Sequence, residues 1–299
     1  MSAGLTLQTR LARGAFTLDL DLTLPDRGLT ALFGATGSGK TTCLRVLAGL
    51  EPQATGVVRV GDEVWQDSAQ RLLRPVHRRA LGYVFQEASL FDHLSVKGNL
   101  MFGFQRTPAA ERRHGWDHGL ALLGIEHLLQ RMPHELSGGE RQRVAVARAL
   151  ATSPRVLLMD EPFSNLDRRL RDQVRDDTMA LLRESGTTAV VVTHDPEEAL
   201  RIADRIVLMH AGRVAQDGSP EVLYHQPASL FAARFFSDLN RLPGQRDARG
   251  IATPLGLFPA TGPADATSDI YLRPQDIHLV PAAGDDTTTG QITRRVFLG

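Results

Sequence analysis

Apolar and polar residues alternate between positions 5 and 24, most regularly in Phe16-Thr17-Leu18-Asp19-Leu20-Asp21-Leu22, and Pro25-Asp26-Arg27-Gly28 follows as a turn. A period of two puts the apolar side chains on one face, which predicts antiparallel strands with one face wet. Three later stretches differ. Leu29–Phe33 (LTALF), residues 155–161 (RVLLMDE) and residues 189–193 (AVVVT) are nearly continuous apolar runs, the pattern of strands buried on both faces. Polar or charged residues follow each run, and in an α/β sheet they arrive at the carboxyl edge, where ligands bind. Residues 81–86 (LGYVFQ) read as a further strand ending at Gln86, and residues 56–65 and 206–218 as hairpins. Helical spacing is present over residues 42–50 and 144–150 and, interrupted by Gly115, Gly119 and Gly124, over 107–129. In PFSNLD a loop leads to a helix start at Ser164 or Asn165, and Pro220 opens another helix.

Residues 230–236 close a first domain, expected over 1–239, and from Asn240 the composition shifts toward Pro, Gly, Thr and Ala. Strands at 270–272, 277–280 and 291–298 predict a small β-rich domain over 240–299. Phe297-Leu298-Gly299 falls inside a strand pattern, so that domain is expected to be incomplete.

Composition narrows the classes. Lys plus Arg (34) balances Asp plus Glu (34), so no global basic field points to nucleic acid and no acidic excess to disorder. A single cysteine, Cys43, gives no disulfide framework and fits a reducing compartment; on the first turn of a predicted helix it reads as a small buried residue. No apolar run approaches the roughly 18 residues needed to span a bilayer, so membrane association is expected through a partner. The opening MSAGLTLQTR lacks the pattern of a secretory signal.

Chemistry enters at residues 34–41, GATGSGKT, which match G-x-x-x-x-G-K-[ST] between a predicted strand and a predicted helix. Gly34, Gly37 and Gly39 let backbone N–H groups wrap phosphates, Lys40 adds a point charge, and the Thr41 hydroxyl is placed for Mg²⁺. Asp160, at the end of its apolar run, is placed to hold Mg²⁺ through water, with Glu161 next to it to orient or deprotonate an attacking water. Gln86 and His194 end two other strand patterns, which places them at the same edge. Residues 136–143, LSGGERQR, carry two readings. Ser137 and Glu140 form a capping box, while Gly138 and Gly139 leave a backbone that can approach an anion closely. Residues 87–99 (EASLFDHLSVKGN) read either as a partner-facing surface or as a loop tied to the core.

Together GATGSGKT, Gln86, LSGGE, RVLLMDEP, SNLD and His194 resemble, in order and spacing, the ATP-binding subunit of ABC transporters over residues 5–236. The resemblance implies a P-loop NTPase ABC ATPase domain of α/β class, with a mixed-sheet core, an antiparallel β subdomain and an α-helical subdomain. It also implies ATP and Mg²⁺ as ligands. Gly34, Ala35, Thr36, Gly37, Ser38, Gly39, Lys40, Thr41 and Thr42 then cradle the nucleotide, and Thr41, Gln86 and Asp160 hold the ion. Glu161 becomes the catalytic base, Gln86 the Q-loop residue, His194 the switch histidine, and Asp167 the D-loop residue at a dimer seam. Members of this family pair head to tail, so Ser137, Gly138, Gly139 and Glu140 of one copy would close over the nucleotide of the other.

YLRPQDIHLVP and residues 290–299 look like an OB-like TOBE domain, which implies an importer. Its expected partners are permease subunits and, indirectly, a periplasmic solute-binding protein, without nucleic acid. The expected location is the cytoplasmic face of the plasma membrane. FFSDLNRLPG and TPLG resemble ferric iron systems, and LGYVFQEASLFDHLSVKGNL resembles molybdate systems; ferric iron is the favoured expectation. One departure stands out. Relatives stack adenine on an aromatic residue about twenty positions before the phosphate loop, where this chain has Leu11, Ala12 and Arg13, with Phe16 slightly late. A soluble ABC ATPase without a membrane partner is the alternative, disfavoured by the single cassette and the TOBE-like tail. A nucleotide binder without turnover is disfavoured by the Asp160-Glu161 pair.

Overall fold

The alternating and the continuous apolar stretches separate into two sheets. In chain order the elements are β1 (Ala3–Arg13), β2 (Phe16–Pro25), β3 (Leu29–Phe33), α1 (Lys40–Ala48), β4 (Thr55–Val60), β5 (Glu63–Asp67), β6 (Leu72–Leu73), β7 (Leu81–Val84) and α2 (Val96–Phe104). There follow α3 (Gly138–Leu150), β8 (Val156–Asp160), α4 (Arg168–Ser185), β9 (Thr188–Thr193), α5 (Pro196–Ile202), β10 (Arg205–His210), β11 (Arg213–Gly218), α6 (Pro220–His225) and α7 (Leu230–Phe236). The computed structural model describes residues 3–108, 110, 112, 120–121, 123–164, 166, 168–247, 249–259 and 268–277. It divides into two compact units, Met1–Ala232 and Ala233–Gly299.

The alternating strands form an antiparallel sheet in the order β2-β1-β4-β5-β6. Leu18, Leu20, Leu22 and Leu24 point inward from β2 while Asp19, Asp21 and Thr23 face solvent. The continuous runs form a second sheet in the order β11-β10-β3-β9-β8-β7, parallel except where β10 meets β11. Strands β3, β8 and β9 are buried at every position, as a parallel sheet covered on both faces requires. Helix α1 supplies Cys43, Leu44, Val46, Leu47 and Ala48 to one core that also takes Leu18 to Leu24 of β2 and Leu32, Leu158, Val190 and Val207 of the parallel sheet. The segment leading into α1 is thereby clamped at the carboxyl edge of β3.

A buried guanidinium helps fix that helix. Arg79 donates to the carbonyls of Leu47 (2.6 Å), Arg74 (3.1 Å) and Trp65 (3.3 Å), and its cation lies 5.6 Å from the Trp65 ring centroid. Burial pulls its pKa down to about 10, and the nearby Arg74 charge acts in the same direction. Arg79→Met keeps most of the volume but takes the guanidinium from the Leu47 and Arg74 carbonyls, while the Trp65 carbonyl keeps the Arg74 amide (2.8 Å), so it is expected to cost on the order of 2 kcal/mol, read as a lower urea midpoint with unchanged m.

Two boundaries differ from the sequence reading. Strand β7 ends at Val84, so Phe85 and Gln86 lie beyond it in an exposed turn. The helix expected from Ser164 or Asn165 begins at Arg168, and the Ser164 hydroxyl donates back to the Glu161 carbonyl (3.0 Å). Of 107–129, residues 109, 111, 113–119 and 122 lie outside the described residues; Leu120, Leu123 and Leu128 are buried.

The described residues of the second unit are β-rich. An antiparallel pair joins β12 (Asn240–Leu242) to β16 (Ile270–Leu272), and a meander joins β13 (Gln245–Asp247), β14 (Gly250–Thr253) and β15 (Gly256–Phe258). The strands expected at 277–280 and 291–298 lie outside the described residues apart from Ile277, which follows a short helical turn, Pro274–Asp276.

Candidate active site

Between β3 and α1 the chain makes a loop that only glycines allow. Gly34, Gly37 and Gly39 have φ of 147°, 79° and 104°. A Cβ on Gly34 would sit 2.3 Å from the Met209 carbonyl oxygen, so the loop presses against the end of β10. Ala35, Thr36 and Gly37 are exposed at the tip, Ser38 and Lys40 are buried at its base, and Thr41 and Thr42 enter the helix. The Lys40 ammonium donates to the loop's own carbonyls at Gly34 (2.8 Å) and Ala35 (3.0 Å). Burial lowers its pKa, opposed by the charges of Glu161 and Asp160. The Ser38 hydroxyl is buried without a hydrogen-bond partner among the described residues. A glycine-rich turn with an exposed tip, a desolvated cation and a buried hydroxyl without a partner among the described residues together fit a phosphate chain.

The ends of β8 and β9 meet this loop. Thr41 Oγ1 donates to Asp160 Oδ1 at 2.9 Å across 119 residues of sequence. Burial raises the Asp160 pKa, against the hydrogen bond from Thr41. A buried carboxylate and a hydroxyl this close, the hydroxyl on an exposed residue, fit one divalent cation with phosphates as its remaining ligands. Glu161 is left-handed at φ 46°, an uncommon conformation for a residue with a Cβ. Its amide donates to the Val192 carbonyl (3.0 Å), and its Oε2 lies 3.0 Å from His194 Nδ1. Beside this pair opens a cavity of 40 Å³ lined by Glu161, Ser164, Arg171, Thr193, His194 and Glu198, enough for a water molecule. Glu198, drawn in by Thr193, has its pKa raised by burial; by sequence alone it reads as part of an ordinary acidic helix start, which hides this placement.

Gln86 lies elsewhere, on a cleft of 530 Å³ shared with Asp92, His134, Gly138, Gln142 and Pro162. Ser137 caps α3: its hydroxyl accepts from the Glu140 amide (3.3 Å), and its amide donates to Glu140 Oε2 (2.7 Å). Those bonds, first the one from the Ser137 backbone, lower the Glu140 pKa. Among the described residues no hydrogen bond links 137–140 to the phosphate loop or to Asp160 and Glu161. Asp167 lies outside the described residues. Cys43 is fully buried, its thiol pushed up to about 12 by burial, which leaves no reactive thiolate.

Phe16 is the residue the sequence placed poorly. Its ring carbon Cζ lies 2.9 Å from where a Gly39 Cβ would be, so β2 brings an aromatic ring onto the phosphate loop itself. Alternation marks Phe16 as core-facing, but no sequence signal shows that this sheet folds back over the loop.

Residues 18–164 match the family described as ABC transporter, a span that takes in the phosphate loop, Gln86, residues 137–140, Asp160 and Glu161. The chain carries an ABC transporter ATPase domain. Proteins named Molybdenum import ATP-binding protein ModC are similar to it. The one from Albidiferax ferrireducens is 58% identical over 217 residues, 73% of this chain and 59% of that protein. Another, from Pseudomonas aeruginosa, is 54% identical over 215 residues, 72% of this chain and 60% of its own length. The chain therefore spans about three fifths of the curated relatives it matches. Among solved structures, cbiO1 from Clostridium perfringens, titled as part of the ABC transporter complex cbiONQ, aligns with a TM-score of 0.64 at 26% identity, covering 76% of this chain and 92% of that one. The two sheets around α1 are thus those of an ABC ATPase domain. No helix among the described residues is long and apolar enough to cross a membrane.

Proposed function

We propose that this chain is the ATP-hydrolysing subunit of an ABC importer that takes up molybdate. The observation that carries the ATPase reading is the convergence of Lys40, the Thr41–Asp160 pair and the Glu161–His194 pair at one sheet edge. Its sheet position suits a nucleotide whose phosphates lie along residues 34–42. Thr41 and Asp160, with Gln86 brought in by closure, would hold Mg²⁺. The ion would neutralise charge on the phosphates. Glu161 takes the proton of an attacking water, and His194, in contact with its carboxylate, fixes that carboxylate's direction. Phe16 is the aromatic surface offered to the base.

Ser137, Gly138, Gly139 and Glu140 supply a helix start to the nucleotide of a second copy, with Asp167 at the seam. Permease subunits dock on residues 87–99 and the adjoining cleft, where exposed Phe102 stacks with Phe91 (centroids 4.7 Å apart) and under the Arg106 guanidinium. In this reading the chain works at the cytoplasmic face of a membrane, and a solute-binding protein delivers to the permease from the other side. Residues 240–299 are a TOBE-like appendage to the domain over 1–239.

The solute rests on the relatives. Short hinge motifs favour ferric iron; relatives more than half identical over the ATPase region carry molybdenum in their names, and that outweighs the motifs. Uptake of labelled molybdate in vesicles holding the complete transporter, with ATP inside, tests this against labelled ferric iron. Iron uptake without molybdate uptake would overturn the assignment.

Lys40→Ala removes the desolvated cation, and its loss is expected to weaken MgATP binding by at least about 100-fold, near 3 kcal/mol, in equilibrium titration. Normal affinity in that variant would remove the phosphate-loop role.

A further inference from the structure

The turn between β10 and β11 touches both halves of the proposed nucleotide site. It has two residues, Ala211 and Gly212, at φ of 46° and 80°. Positive φ at both central positions is the type I′ hairpin, and an alanine in the first of them is a local cost. Gly212 bonds in two directions. Its amide donates to the Ser38 carbonyl in the phosphate loop (3.0 Å), and its carbonyl accepts from the Asp19 amide in β2 (2.8 Å). A Cβ on Gly212 would lie 2.0 Å from the Thr17 carbonyl oxygen, so no side chain fits. Arg213, next along, reaches Asp19 at 3.4 Å, and the Met209 carbonyl lies against Gly34.

One glycine thus ties the phosphate loop to the strand that carries Phe16. Resting on the nucleotide reading above, we propose that Gly212 is a positioning residue. It sets the spacing between the phosphate loop and the Phe16 ring, so that base and phosphates are engaged by one rigid frame. Its contribution therefore belongs to ligands that have both parts. Tripolyphosphate, which lacks the base, is expected to depend on it little, because the Lys40 ammonium is held by the Gly34 and Ala35 carbonyls, bonds that do not involve Gly212.

The test compares MgATP with magnesium tripolyphosphate on the full chain. Gly212→Ala is expected to raise the Kd for MgATP about ten-fold, the loss typical of one stacked base, and to leave that for tripolyphosphate within about three-fold. In the assembled ATPase, KM should rise by a similar factor while kcat stays within about three-fold. Phe16→Ala should give the same ATP loss, and the double variant should be no worse than either single one. A preserved preference for ATP over tripolyphosphate, or losses that multiply, would overturn the proposal.

Should Gly212→Ala fail to fold, hydrogen exchange on the unaltered protein decides. MgATP is expected to slow exchange at residues 16–19 and 209–213, and tripolyphosphate to leave both unchanged; no ATP effect at these segments overturns the proposal. Failure of the underlying reading looks different: the unaltered protein would bind neither ligand in a Lys40-dependent way.

Discussion

Glu161→Gln is expected to leave MgATP affinity within about two-fold of the parent while lowering hydrolysis on the order of 1,000-fold. The substitution is nearly isosteric, so the left-handed backbone at residue 161 and its bond to the Val192 carbonyl persist. What changes is the atom facing His194 Nδ1 at 3.0 Å. An amide cannot take a proton from water, and general-base contributions of this kind span about 10² to 10⁴. Lys40, Thr41 and Asp160 are untouched, which is why binding survives. With ATP bound and not cleaved, the closed dimer should accumulate, visible as a doubled mass in light scattering with MgATP and absent with MgADP. Phosphate release at the parental rate would take Glu161 out of its role, and loss of ATP binding would place it in the phosphate cradle.

The parts of this site differ in how visible they are in the sequence. The phosphate loop is contiguous, and its glycines, lysine and threonine have spacings fixed by the backbone path, so the one motif suffices to read it. Asp160 and Glu161 are legible because a run of apolar residues precedes them, which implies a buried strand delivering acids to an edge. That β9 lies between β3 and β8 is not legible, since no local pattern encodes strand order. Gln86 is drawn onto its strand by Phe85, an apolar residue that is 40% exposed and continues the run without continuing the sheet. Strand β7 has a partner on one side only, and fewer ladder bonds hold its end. Ser164 looks like a helix cap because serine caps well; its hydroxyl donates to the Glu161 carbonyl, in the turn after that left-handed residue. Gly212 reads as half of a hairpin turn, which it is, but its bond to Ser38 joins segments that no local pattern relates.

Ser137→Arg tests whether residues 137–140 serve the nucleotide of a second copy. Within one chain Ser137 caps α3 and is exposed, and the hydrogen bonds it makes close on Glu140, not on the phosphate loop. Each element that the single chain needs to hold a nucleotide, from Lys40 to Asp160, is complete without it. The substituted chain should therefore bind MgATP within about three-fold of the parent, since removing the cap costs only about 1 kcal/mol in helix stability. Turnover should fall at least about 100-fold, because taking one oxyanion-type donor away from the second copy's nucleotide is worth that much. Arginine also fills the face where the partner's phosphates would approach. Ser137→Ala separates bulk from capping: it removes the cap and adds no volume, so it should still dimerise on MgATP and keep a measurable fraction of turnover. Mixing Ser137→Arg with Lys40→Ala chains sharpens the test. In a head-to-tail pair each site takes its phosphate loop from one chain and residues 137–140 from the other, so both defects of the mixed dimer fall on one site. Lys40 of the Ser137→Arg chain faces the intact Ser137 of its partner; the other site is whole, and activity should partly return. No recovery, together with absent ATP binding by Ser137→Arg alone, would put residues 137–140 in their own chain's site and remove the second copy from the mechanism.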